Sequence, residues 1–145
     1  MATWQQFSEE APELANAVRA RFESAKHHVL ATLRRDGSPR VSGTEVEFRG
    51  SDLILGSMEG ARKARDLQRD PRFALHANPG PDTSMTGGDA KVSGRAVEEV
   101  VPDGGSHLFR LELDEVVLTS VDQGRGLLII ESWRPGQPLR RVERT

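Results

Sequence analysis

From His28 onward, apolar side chains recur at every second position, in runs too short for helices and separated by residues that turn a chain. "VLATLRRDGSPRVSGTEVEF" holds two such runs about Asp36-Gly37, a dipeptide suited to the positive φ angles of a tight hairpin. Arg49-Gly50-Ser51-Asp52 makes a second turn, followed by a third strand from Leu53 to Ser57. Asp70-Pro71 precedes a fourth, "RFALHA", and "AKVSGRAVEEV", "HLFRLELDEVVLTSV" and "RGLLIIESW" continue the pattern. Broken alternation over Leu111, Leu113 and Val116 predicts a bulge or a helical turn there, and Asn78 to Gly88 reads as a loop. Many short strands with regular turns hide their edges best by curling into a closed or partly closed barrel. The predicted fold is mainly β: six to seven antiparallel strands with one N-terminal helix and one short internal helix.

The N-terminal helix is expected over residues 8–26, "SEEAPELANAVRARFESAK". Ser8 caps it, Glu9 and Glu10 suit its positive end, and Pro12 is tolerated in the first turn. Leu14, Val18, Phe22 and Ala25 recur at helical spacing as its packing stripe. Trp4 and Phe7 fall before this helix and read as a hydrophobic staple or a dimer contact. A chain of 145 residues fits one domain, with the helix in 1–28, the barrel in 29–133 and a tail in 134–145.

Composition narrows the chemistry. With no cysteine there are no disulfides, thiolate metal sites or thiol nucleophiles, and with no tyrosine one common proton donor is missing. A net charge of −2 argues against a nucleic-acid partner held by counterion release. No apolar run approaches the length of a membrane span, so a soluble cytoplasmic protein is expected. No HExxH, GxSxG or Walker pattern occurs and no metal site is expected. His27-His28 reads as a solvated pair at the helix–strand junction, His107 as a surface residue, and Glu45 and Glu47 as the exposed face of a strand. His76 falls on a strand that can face the barrel mouth.

"GSMEGARKARDL", residues 56–67, carries the unusual feature. Arg62 and Lys63 stand where a helix begins and its own dipole repels cations, at a cost of roughly 0.3–1 kcal/mol each. An anion there removes the cost: Gly56 and Gly60 let a ligand approach the backbone, and the first helical N–H groups are unpaired donors. The segment is either a phosphate socket or, since "RKARDLQRD" is charged throughout, a solvated basic face.

The order of helix, "DGSPRVSGTEVEF" hairpin, strand "DLILGSM", Arg-Lys pair and L-x-x-DPR-x-AL element resembles the pyridoxamine 5′-phosphate oxidase-like, FMN-binding split-barrel family. These landmarks cover residues 29–77, and the strand order extends the likeness to about residue 133. The resemblance implies a split β-barrel of the FMN-binding type, a homodimer with cofactor at the interface, and the following cofactor contacts. The strand bordering the flavin ring corresponds to Ser42, Gly43, Thr44, Glu45 and Val46. Ser42 and Glu47 stand where the oxidases have arginine and lysine, so two phosphate and ribityl contacts of the family can be missing here, while backbone groups of Gly43 to Val46 can still meet the ring edge. Gly56-Ser57 takes the place of a tyrosine–threonine pair, with Ser57 keeping a hydroxyl for the phosphate, and Arg62-Lys63 keeps the phosphate-binding pair. Asp89 falls near a flavin-contacting glutamine of the oxidases, and Trp133 near the tryptophan towards their C-terminal end, with one of Arg140, Arg141 or Arg144 beyond it.

The tail "SWRPGQPLRRVERT" lacks the histidine with which the oxidases handle pyridoxal phosphate, and looks more like a branch of reductases using FMN or the deazaflavin coenzyme F-420. The resemblance therefore implies a flavin-dependent oxidoreductase with bound FMN or deazaflavin and an unidentified small acceptor. The other reading is a non-catalytic binding or storage protein for FMN, deazaflavin or haem. No catalytic residue is assigned, because hydride chemistry belongs to the cofactor.

Overall fold

The computed structural model describes residues 1–101 and 104–145. Its helices are α1 (Trp4–Glu10), α2 (Pro12–Glu23) and α3 (Arg62–Arg69). Its strands are β1 (His28–Leu33), β2 (Pro39–Thr44), β3 (Val46–Arg49), β4 (Asp52–Ser57), β5 (Arg72–His76), β6 (Asp89–Glu99), β7 (His107–Asp122), β8 (Leu127–Trp133) and β9 (Arg140–Arg144). The fold is mainly β, as the alternation predicts, although the expected tail contributes the additional strand β9. None of the described helices is long and apolar enough to cross a membrane.

The N-terminus departs from expectation. Instead of one helix over 8–26 there are two, broken at Ala11, whose φ of −141° and ψ of 67° lie outside the helical region. Pro12 is the cause, because its ring disfavours a helical conformation in the preceding residue and it has no N–H to donate. Thr3, not Ser8, caps the first helix: its Oγ1 accepts from the Gln6 N–H at 3.1 Å. Trp4 and Phe7 thus belong to α1 and are buried, with Trp4 edge-on to Phe7 at 5.1 Å and to Phe48 at 4.8 Å. On α2 the stripe is Leu14, Ala15, Val18 and Phe22; Ala25 lies beyond the helix end.

Seven strands follow one antiparallel path, β2–β1–β5–β6–β7–β4–β3, and β8 and β9 extend from β7 as a ribbon. The two ends of that path, β2 and β3, are separated in the chain by Glu45 alone. They are two halves of one bent stretch, the first pairing with β1 and the second with β4. No ladder joins β2 to β3 among the described residues, so the barrel is split rather than closed. The long strand β7 changes partner in the same way, pairing with β4 through His107–Leu111 and with β8 through Val116–Asp122. Leu30, Leu53, Leu55, Leu75, Val92, Phe109, Leu111, Leu113 and Val116 are buried between the walls, and the helices add Phe7 and Val18.

The irregularity expected near Leu113 is a bulge. Gly94 pairs with Leu113 and Ser93 with Glu115, so Asp114 is the extra residue. The bulge brings the Glu112 carbonyl oxygen into the space a side chain at position 94 would need. His28 also differs from its solvated reading, being buried at 3% exposure. Its Nε2–H donates to the Phe22 carbonyl at 3.0 Å and its Nδ1 accepts the Asn78 N–H at 2.9 Å, tying the end of α2 to the loop after β5. Burial holds its imidazole below the ordinary histidine pKa.

The close approach at the bulge yields a direct expectation. Gly94→Ala should lose about 1–3 kcal/mol of unfolding free energy in urea denaturation, the usual cost of overpacking. Gly124→Ala, whose new methyl group meets only the Asp122 carboxylate at an ordinary 3.6 Å, should stay close to the parent protein. Equal midpoints for the two variants would show that the strand relaxes around Gly94.

Candidate functional site

β4 delivers Gly56 and Ser57 to its end, and the turn through Met58 to Ala61 opens α3 at Arg62. Gly60 supplies the left-handed residue of that turn, with φ of 73°. The N-cap is Ala61, which offers no side-chain acceptor, so the first N–H groups of α3 have no side-chain cap. The turn is held from outside the helix: Gly60 N–H donates to His107 Nε2 at 3.1 Å. His107 Nδ1 lies 2.8 Å from Glu98 Oε2, so Nδ1 carries the proton and Nε2 is the acceptor. Hydrogen bonds from His107 and then Gln68 hold the Glu98 carboxyl below the usual carboxylate range. His107 is therefore not a free surface residue. Its register opposite Ser57 places it against the turn, which no local sequence signal announces.

Helix α3 is anchored by Asp66, which is 2% exposed. Its carboxylate accepts from Thr32 Oγ1 on β1 at 2.8 Å, Arg40 Nε on β2 at 2.7 Å and an Arg69 guanidinium nitrogen at 3.0 Å. Burial pushes this carboxyl up, but the bonds from Arg40, Thr32 and Arg69 outweigh it and leave its pKa below the ordinary value. At the start of the helix, Lys63 Nζ donates to the Gly43 carbonyl at 2.8 Å, joining α3 to the bent strand. Burial lowers the Lys63 pKa, and the Glu45 carboxylate works against that.

Next to these elements lies a cleft of about 800 Å³ between the end of α2 and strands β3 and β4, lined by Phe22, Lys26, Glu45, Val46, Phe48, Gly56, Ser57 and Met58 among others. That volume is within the range of small-molecule and cofactor sites. It brings together four of the sequence-based candidates: Glu45, Val46, Gly56 and Ser57. Gly43 and Lys63 meet beside it through their hydrogen bond. Thr44 is buried and Ser42 half-buried on the same strand. Arg62, one residue before Lys63, turns instead into a second cleft among other arginines. Asp89 begins β6, opposite Thr119, and is not among the cleft residues. Trp133 is 1% exposed, packed at 4.7 Å from the Phe7 ring with its indole N–H donating to Glu10 at 3.3 Å. In this chain it is a core residue. Phe22, at the end of α2, and Lys26, in the connection to β1, were not legible as site residues, because Phe22 reads as part of the helix packing stripe and Lys26 as the end of the expected helix.

The residues present fit a phosphorylated aromatic group. A Cβ placed on Gly43 or on Gly56 would meet nothing within 4 Å, so the space over both backbones is open. Val46 and Phe48 offer apolar surface, Met58 is 80% exposed at the rim, and Ser57, Lys63 and the uncapped helix supply anion donors. Glu45 is partnered by Lys26 at 3.5 Å and His27 at 3.4 Å.

Comparison with known families decides the relationship. The pyridoxamine 5′-phosphate oxidase family matches residues 14–119. The chain belongs to that family. Among solved structures it is similar to PhzG from Burkholderia lata in complex with tetrahydrophenazine-1-carboxylic acid, with a TM-score of 0.66 and 16% identity over 92% of this chain and 89% of that one. It is similar to a pyridoxamine 5′-phosphate oxidase-related, FMN binding protein from Nostoc punctiforme, with a TM-score of 0.66 and 12% identity over 93% and 96% of the two chains. A protein of unknown function from Agrobacterium tumefaciens is 20% identical at a TM-score of 0.59 over 71% of this chain, which spans 56% of that neighbour's length. At these identities the likeness is one of fold. No curated protein matches the chain.

The Asp66 anchor makes a testable statement about this oxidase-family helix. Asp66→Asn leaves Arg40 and Arg69 facing an amide and should cost about 3 kcal/mol near neutral pH, the range for breaking a buried pair. Because the folded pKa is depressed, the stabilisation is complete above the ordinary carboxylate pKa and is lost as pH falls through the lower folded value. Urea midpoints of parent and variant should therefore converge as the medium is acidified from about pH 7 to about pH 3. A gap that does not change with pH would mean that Asp66 acts by shape alone.

Proposed function

We propose that the protein is an FMN-dependent oxidoreductase that takes a small organic acceptor into the cleft between α2 and β4. The observation that carries this reading is that Ser57, Lys63 and the uncapped start of α3 stand by an open, partly apolar cleft, with Arg62 on the same first turn but turned towards the second cleft. FMN, when bound, supplies hydride and electron transfer at its ring. The chain's residues bind and orient it. The Ser57 hydroxyl and the cations at 62 and 63 hold the phosphate, and Lys63 still has two ammonium protons to give beyond its bond to Gly43. Strands β2 and β3 each have a single strand neighbour, so main-chain groups from Gly43 to Val46 on the other edge can serve the ring. Phe22, Val46 and Phe48 exclude water from one wall. Family membership and the FMN-binding Nostoc punctiforme neighbour support this choice of cofactor.

The absence of the oxidase-type histidine from the tail argues for an acceptor other than pyridoxamine 5′-phosphate. The tail itself forms β9 against β8, with Arg140, Arg141 and Arg144 exposed. We further propose a homodimer. The outer sheet face leaves Val29 46% and Val41 70% exposed, apolar surface that a second copy would cover.

Titration of the purified protein with FMN, riboflavin and deazaflavin F-420 tests the cofactor. Charge-assisted hydrogen bonds are worth about 1.5–3 kcal/mol each, so Arg62→Ala with Lys63→Ala should weaken FMN binding by roughly 10²–10⁴-fold and leave riboflavin almost unchanged. Equal losses for both ligands would remove the phosphate socket, and tight binding of F-420 with no binding of FMN would replace the cofactor. In turnover assays pyridoxamine 5′-phosphate should be a poor substrate; rapid formation of pyridoxal phosphate would overturn the reading of the tail. Sedimentation over a wide dilution series should show a dimer that Val29→Glu with Val41→Glu dissociates, whereas a monomer throughout contradicts the shared-site arrangement.

A further inference from the structure

Beyond the socket, on the far side of Arg62, Arg34, Arg35, Arg40, Arg62, Arg65 and Arg69 converge with Asp36 and Asp66 on a separate cleft of about 430 Å³. Two elements bring them there. The β1–β2 hairpin contributes Arg34, Arg35 and Arg40, while α3 presents Arg62, Arg65 and Arg69 at the i, i+3 and i+7 positions of one face. Opposite this exposed basic face, where acids would ordinarily balance it, the hairpin presents three more arginines and a single carboxylate, Asp36.

The two carboxylates offset only part of this charge, Asp36 acting on Arg34 at a distance. Asp66 is consumed by Arg40 and Arg69, and Asp36 accepts from the Ser38 N–H at 2.9 Å and the Ser38 hydroxyl at 2.6 Å. Arg65 donates to Gln68 at 3.1 Å. Arg34, Arg35 and Arg62 have no carboxylate within ion-pair distance among the described residues. Six guanidinium groups within one cleft of this size lie inside one another's Debye length at physiological salt, so their repulsion is only partly screened. In a chain whose net charge is −2, such a concentration of positive charge is local and directed.

We propose that this cleft binds a multiply charged anion, a small molecule carrying two or more phosphates or carboxylates, with its charged groups reaching from Arg62 to Arg34 and Arg35. Arginine suits either group, since its planar fork bonds both in bidentate fashion. The cleft is narrower in its chemistry than a general basic surface. Asp66 fixes Arg40 and Arg69 at its floor, and the exposed Arg34 and Arg35 at the hairpin turn remain free to close over a ligand. The inference adds to the proposed flavin reading, with which it shares Arg62, but it does not require that a flavin be bound.

The test uses the full chain and three probes: tripolyphosphate, tricarballylate and orthophosphate, titrated calorimetrically into the parent protein and into Arg34→Gln with Arg35→Gln. Both substituted positions are exposed and lie outside the proposed phosphate socket, so the fold and FMN binding should be unaffected. Tripolyphosphate or tricarballylate should bind at least about tenfold more tightly than orthophosphate, and the variant should lose at least about tenfold of that affinity. The arm that binds better names the source of charge. No binding of either polyanion, or equal binding by parent and variant, would overturn the proposal. FMN titrated into the same two proteins separates the readings: arginine-dependent polyanion binding without FMN binding leaves this cleft standing and removes the flavin.

Discussion

The carboxylate of Asp66 sits where α3 crosses β1 and β2, and it takes a hydrogen bond from each of the three. An aspartate so enclosed is stable as an anion only because two guanidinium groups and a hydroxyl replace its water. Its position in the helix follows from the sequence, one turn after Arg62 and Lys63. Fixing Asp66 therefore fixes the angle at which α3 begins, and with it the direction of the uncapped N–H groups and the cations around them. Ala64 and Leu67 add apolar burial on the same face. Burial alone would not specify rotation about the helix axis, because apolar contact is not directional.

The sheet supplies the second constraint. A strand that pairs with β1 and then, after Glu45, with β4 must bend, and the bend opens the wall of the barrel. The candidate cleft lies along that opening, between the end of α2 and the backbone of residues 43–48. From β7, His107 accepts the Gly60 N–H and so holds the turn that leads into α3. A site built in this way needs no acid–base dyad. In the reading we propose, its work is to present donors and an apolar wall at fixed positions around a group that brings its own chemistry.

Much of this architecture is legible in local sequence. Period-two runs and the Asp36-Gly37 turn mark the strands, and Arg62-Lys63 marks the start of the internal helix at which we propose the socket. What remained hidden depends on register or on a single backbone restriction. The break at Ala11 follows from Pro12, yet a continuous helix also accommodates a proline in its first turn, so the sequence permits both. His28 and His107 look like boundary residues until their partners Asn78 and Gly60, each about 50 residues away in the chain, are known. Trp133 takes its place from Phe7 and Glu10, residues of a helix expected to begin after Phe7. The convergence of Arg34 and Arg35 with α3 likewise appears only when the hairpin is placed beside the helix.

The central claim is that the start of α3, with Ser57 before it, is where a flavin phosphate binds. Backbone amide resonances followed by ¹H–¹⁵N NMR during titration with FMN and, separately, riboflavin read that directly. FMN should shift the amides of Ser57, Gly60, Arg62 and Lys63 strongly, and riboflavin should leave that group almost unmoved while still perturbing Val46 and Gly56. Shifts confined to other parts of the barrel, or the same pattern with both ligands, would contradict the account.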